Sequence, residues 1–158
     1  MGLKKSDLTG SVEETTVLGG WHANLLHIDR RKCVLFANDR TLFNFIVADL
    51  KREHIRQLDR LFQEHLICIL NSEDLDQSIV KSICEERQEI QYGATNNRSV
   101  IGSMNDLASH YKYYINEAGG VHSPEVPEII RKLNRILFGS LGSAYPIEAL
   151  KNLYEGRA

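Results

Sequence analysis

The stretch "WHANLLHIDRRKCVLFANDRTLFNFIV", residues 21–47, decides the fold. Its centre, "CVLFA" (Cys33 to Ala37), is a short, continuously apolar run bounded by polar clusters, as expected of an interior strand. Before it, Trp21 to Ile28 reads as a strand with Trp21, Ala23 and Leu25 on one face and His22 and Asn24 on the other. The polar "DRRK" between the two predicts a β-hairpin. After "NDR", a second turn, "TLFNFIV" (Thr41 to Val47) is rich in aromatic and β-branched residues and predicts a third strand. Three strands in meander order follow.

Beyond Val47 the period changes from two to 3.6. Leu50, Ile55, Leu58, Leu61, Phe62, Leu66 and Ile69 predict one helix over residues 50–70 with Asp49 as N-cap. A second helix, capped by Asn71 or Ser72, carries Leu75, Ile79, Val80 and Ile83. "RQEIQYGA" reads as a fourth strand with Ile90 and Tyr92 on one face, and "SVIGS" (Ser99 to Ser103) as a fifth. Ser103 and Asp106 have capping-box spacing at the head of a helix through Ala118 that Gly119-Gly120 ends. Two more helices follow, one with Pro124 or Pro127 in its first turn and one starting at Pro146. "GSLGSAYP" between them reads as a loop, and a short helix is expected at Lys4 to Leu8. The order β-β-β-α-α-β-β-α-α-α predicts an α+β fold, an antiparallel sheet packed by helices, in one domain over residues 1–158. It is not the βαβ alternation of a dinucleotide-binding fold, and no glycine-rich phosphate loop is present.

With 158 residues the chain is long enough for a core without disulfides or metal. A formal net charge of −2 gives no global attraction to polyanions, so any such binding has to come from a local patch. Cys33, Cys68 and Cys84 are too few and too scattered for a disulfide framework or a zinc site; reduced, mostly buried thiols in a cytoplasmic protein are expected. The opening "MGLKKSDLTG" lacks the apolar core of a signal peptide, and no apolar run has the length to span a bilayer. No metal site and no cofactor motif are expected.

Polar groups concentrate at two places. Arg30, Arg31 and Lys32 sit at the first hairpin turn, where three cations are either simply solvated or form a phosphate claw, the planar Arg fork taking two oxygens at once. Alternation lets Arg30 and Lys32 act together while Arg31 points away. His22 and Asn24 share a strand face, as a structural pair or as a proton-transfer and orienting pair, and His22 is the one catalytic candidate. Asn38 adds a hydrogen-bonding group and Trp21 a stacking or packing wall. The second concentration runs from Asn96 to Asp106. Capping accounts for Ser103 and Asp106 but not for Arg98 or Asn105. His54 and His65 lie beside Leu58 and Leu61 and read as packing residues, as do two of Tyr111, Tyr113 and Tyr114. No nucleophile elbow, paired His-Cys or metal-ligand cluster appears.

The motifs "WHANLLHIDRRK" (residues 21–32), "NDRT" (38–41), "NRSVIGSMND" (97–106) and "YPIE" (145–148) are similar to those of a family of small bacterial and archaeal proteins classed as a domain of unknown function. The resemblance covers residues 21–154 and brings no substrate or catalytic residue with it. Such relatives open with an additional Lys- and Leu-containing segment, which implies that residues 1–20 are truncated or irregular and lack a first strand.

Three functions compete. The leading expectation is a cytoplasmic binding module for a phosphate-containing ligand or nucleic acid. Arg30, Lys32 and Arg98 would contact the anion, Asn24 and Asn38 would orient it, Trp21 would be a stacking or packing wall, and His22 and Asn105 would belong to the same ligand-binding surface. The second is a metal-independent hydrolase or nuclease using His22, with Arg98 stabilising developing charge. The third is a homo-oligomer or protein-partner module that pairs through an edge left by "CVLFA" and a missing first strand.

Overall fold

The computed structural model describes residues 17–92, 97–138, 141 and 144–155. The Lys4–Leu8 helix, the truncated first strand and half of the "GSLGSAYP" loop fall outside them. Four strands form one sheet in the order β3-β2-β1-β4: β1 is Gly20–Ile28, β2 Arg31–Asn38, β3 Asn44–Val47 and β4 Glu89–Tyr92. Around it lie α1 (Arg52–Ile55), α2 (Leu58–Ser72), α3 (Gln77–Glu85), α4 (Arg98–Glu117), α5 (Val126–Leu133) and α6 (Pro146–Tyr154). The fold is α+β, as expected, with one difference in the sheet. β1–β2 and β2–β3 are antiparallel, but β4 returns beside β1 parallel to it, so the sheet is mixed. The helical crossover α1–α3 causes this, because it carries the chain back to the end of the sheet where β1 begins.

The β1–β2 connection is a two-residue turn in which Asp29 (φ 53°) and Arg30 (φ 61°) are both left-handed. That is the primed geometry whose twist matches a hairpin. The second turn is organised by Asn38. Its Oδ1 accepts from the Arg40 and Thr41 amides (3.1 and 3.0 Å) and from Thr41 Oγ1 (2.9 Å), while its Nδ2 donates to the carbonyls of Leu18 and Gly20.

Both sheet faces are covered. Trp21, Phe36 and Phe45 share one face with Phe62 of α2, ring centroids 5.0–6.1 Å apart in mostly edge-on pairs. Trp21 Nε1 donates to Gln88 Oε1 at 3.0 Å, so its polar handle is satisfied inside. Leu25 lies on the same face but beyond this cover, half exposed. α4 covers the other face, and Tyr111 reaches Asn44 Oδ1 from it at 2.6 Å. At the end of α2 the buried carboxylate of Glu73 receives Arg135 through two nitrogens (2.6 and 3.3 Å), which ties α2 to the segment after α5.

Four expectations need correction. "SVIGS" is not a strand but the first turns of α4: Asn97 Oδ1 caps the Ser99 and Val100 amides, and Val100, Ser103, Met104 and Leu107 are buried at helical spacing. Ser103 and Asp106 therefore sit inside a helix rather than at its head. The helix expected over residues 50–70 breaks at Arg56–Gln57, and Asp49 does not cap it, being left-handed (φ 56°) three residues before the start of α1. α3 is preceded by Asp76; Asn71 and Ser72 end α2. Finally, Val34–Ala37 is paired with β1 on one side and β3 on the other, so "CVLFA" lies inside the sheet and is not its edge.

Candidate functional site

The β1–β2 turn and the chain leaving β3 meet at one end of the sheet. The Leu50 amide donates to the Lys32 carbonyl at 2.8 Å, holding the two segments together. Between them lies an open hollow of about 280 Å³ lined by Arg30, Arg31, Lys32, Asp49, Lys51 and Arg52, with Leu50 and Ile55 as its apolar wall. Five cations thus face a single carboxylate. Asp49 lies 3.4 Å from Arg31 Nη1, from Lys51 Nζ and from His122 Nε2. Partial desolvation pushes its carboxyl up, but Lys51, Arg31 and His122 together outweigh this and hold it below the ordinary carboxylate range. Arg30, Lys32 and Arg52 have no ion pair or side-chain hydrogen bond among the described residues. Unpaired cations held this close repel one another, and an anion between them removes that repulsion.

The sequence-predicted residues do not all gather here. Arg30 and Lys32 do, and Arg31 lines the hollow as well, because turn and strand end curl around it. Trp21 is fully buried in the aromatic core and serves as a packing wall, with no face left for stacking on a ligand. Asn38 is fully buried and committed to its turn. Asn24 lies half-buried on β1, while Arg98 and Asn105 are exposed on α4, and none of the three lines this hollow. Lys51 and Arg52 are not singled out by the sequence, and Asp49 stands out there only as a helix N-cap. The available signal was a second basic pair, Lys51-Arg52, four residues past a predicted strand, and the supposed single helix concealed it.

His22 stands apart. Its Nδ1 meets Asp39 Oδ1; with the carboxylate ionised Nδ1 is the donor, and in the neutral form of the ring Nε2 then carries the lone pair. That Nε2 is buried and has no partner among the described residues. Asp39 is pushed above its ordinary value by burial, partly offset by the hydrogen bond from His22. His22 is not in the wall of any hollow described here.

Two other hollows exist. One of about 320 Å³ between α4 and α5 is lined by Glu117, Glu125 and Glu128, and its Lys132 ammonium is already 4.2 Å above the Tyr114 ring. The other, about 310 Å³, is lined by Ile55, Arg56, Leu58, Asp59 and Tyr92. Among the described residues, no three His, Cys, Asp or Glu side chains come together as a metal site. Cys33 is buried as expected, but Cys68 and Cys84 are exposed on their helices; all three are unpaired. His54 Nδ1 accepts from the Lys51 amide and His65 Nδ1 meets the Leu61 carbonyl, so both are structural.

A family model described as a domain of unknown function, DUF6933, matches residues 1–149. The chain belongs to the DUF6933 family. No curated protein matches it. Among the described residues of this DUF6933 protein, no helix is long and apolar enough to cross a membrane.

Proposed function

We propose that this DUF6933 protein is a cytoplasmic binding module that takes a phosphate-containing ligand in the hollow between the β1–β2 turn and residues 49–52. The carrying observation is the excess of four positive charges, five cations against Asp49, around one concave surface of a chain whose overall charge is −2. Three of the cations are arginines, whose forked donors suit the tetrahedral oxygens of a phosphate. The unpaired thiols fit a reducing compartment.

Calorimetric titration with inorganic tripolyphosphate tests the reading. Wild type is expected to bind, and to bind more weakly as salt rises. The double variant Arg30→Ala, Lys32→Ala should lose at least about tenfold in affinity, the equivalent of one charge-assisted contact, while melting as wild type does. Absence of binding to wild type, or equal binding by the double variant, would remove the hollow from consideration.

A second reading rests on His22. A buried His oriented by a carboxylate, with its far nitrogen free, is the arrangement of a general base. It supports a metal-independent hydrolase, without the help expected from Arg98. A phosphoester screen of wild type and His22→Ala decides this, since equal background rates would end it.

A further inference from the structure

We propose that the ligand is a nucleoside polyphosphate, its phosphates in the basic hollow and its sugar and base in the adjoining hollow against Asp59 and Tyr92. This rests on the phosphate reading above and names the rest of the ligand. The two hollows share Ile55 as a lining residue, which sets them side by side on the molecule. Separately each lies near the lower limit of roughly 300 Å³ for small-molecule sites, and together they fall well inside that range.

The chemistry of the two sides differs in the way a nucleotide differs along its length. The basic hollow, with its four excess charges, matches the three to four negative charges of a di- or triphosphate. Across Ile55 the second hollow sets one cation, Arg56, against one carboxylate, Asp59, so it carries no excess charge, and it presents one accessible aromatic ring, Tyr92, which is 44 % exposed. A carboxylate repels phosphate but accepts hydrogen bonds from ribose hydroxyls. An aromatic face stacks with any base.

The ring of Tyr92 is held in place before any ligand arrives. β4 fixes its backbone beside Ala23, and its hydroxyl donates to Asp59 Oδ1. Burial, with Asp59 beside it, keeps the phenol neutral by pushing its proton affinity well up, so it stays a donor. A ring already immobilised loses little freedom on stacking. Asp59 Oδ2 has no partner among the described residues and is left to accept from the sugar. Ile55 is the last residue of α1, and Arg56 and Gln57, the break before α2, line the second hollow.

The test compares adenosine triphosphate with inorganic tripolyphosphate on the full chain by titration calorimetry. The nucleotide is expected to bind wild type at least about tenfold more tightly, the effect of one stacked base. Tyr92→Leu, which keeps apolar bulk but removes the ring, should bring the nucleotide down to the tripolyphosphate level and leave tripolyphosphate unaffected. Equal affinity of both probes for wild type overturns the nucleoside assignment while the phosphate reading stands. Binding of neither overturns both. The wild-type comparison needs no variant, so it decides the matter even if Tyr92→Leu fails to fold.

Discussion

Arg30 adopts a conformation that arginine ordinarily avoids. The left-handed region costs a side-chain-bearing residue about 1–2 kcal/mol, and turns of this type usually hold glycine at the second position. Asp29 beside it is less costly, because aspartate tolerates that region. Glycine at residue 30 would relieve the strain but would lose more freedom on folding, by about 0.5–1 kcal/mol. Arg30→Gly should therefore stabilise the protein by about 0.5–1 kcal/mol in urea unfolding, while weakening tripolyphosphate binding. Stability gained together with affinity lost is the mark of a residue kept for its guanidinium. Loss of stability would show that the side chain supports the fold. The same turn shows how far the site was legible from sequence. The cluster Arg30–Lys32 stands out in the chain, but nothing in its spacing reveals that Asp49, Lys51 and Arg52 face it, since that depends on the Leu50–Lys32 backbone bond. Trp21 and Asn38 stood out equally, and they proved to be polar-satisfied interior residues, because rarity and polarity say nothing of depth.

At the level of elements, β3 is an edge strand, and the edge is closed by a side chain. The Asn44 amide donates to Asn134 Oδ1 at 2.9 Å, and Asn134 Nδ2 donates back to the Asn44 carbonyl at 2.8 Å, so one side-chain amide stands where another strand's peptide would. Both residues are fully buried. Asn134→Ala strands two buried backbone groups at about 1–3 kcal/mol each, for an expected loss of about 2–5 kcal/mol in denaturant unfolding. Tyr111→Phe, which removes only the donor to Asn44 Oδ1, should cost about 1 kcal/mol. A loss below about 1 kcal/mol for Asn134→Ala would mean that water or a backbone shift replaces the amide. Such a pairing across ninety residues leaves no local trace in sequence. Local patterns carried further elsewhere: the meander β1–β3 and the helices after Ser103 follow their periodicities closely. The misreading of "SVIGS" arose because a five-residue run of small and β-branched residues fits a strand or a helix equally well. Asn97 settles it as helix by capping the Ser99 and Val100 amides.

For the molecule as a whole, two aspartates at the ends of the sheet bias stability against pH in opposite senses. Asp39, beside His22, has its carboxyl raised above 3.8 by burial, with the His22 hydrogen bond opposing. The folded chain therefore holds that proton more tightly than the unfolded one. The resulting stability is complete below 3.8 and is lost as pH rises from there through the raised folded value. Asp49, in the basic hollow, is lowered because its cations outweigh its desolvation; its contribution is complete above 3.8 and is lost as pH falls through the lowered folded value. The two effects occupy opposite sides of the same reference point, so single variants separate them. In urea midpoints measured across the acid range, Asp39→Asn should differ from wild type by an amount that grows as pH rises above 3.8, in favour of the variant, and levels off once Asp39 is ionised in both states. Asp49→Asn should fall increasingly below wild type as pH rises from the lowered folded value to 3.8, and by a constant amount above it. An Asp39→Asn difference that does not change above 3.8 would show that burial at this site does not disfavour the carboxylate. The proton on Nδ1 of His22 would then be enough by itself to hold Asp39 ionised, which is the arrangement a neutral His22 needs to act as a general base through Nε2.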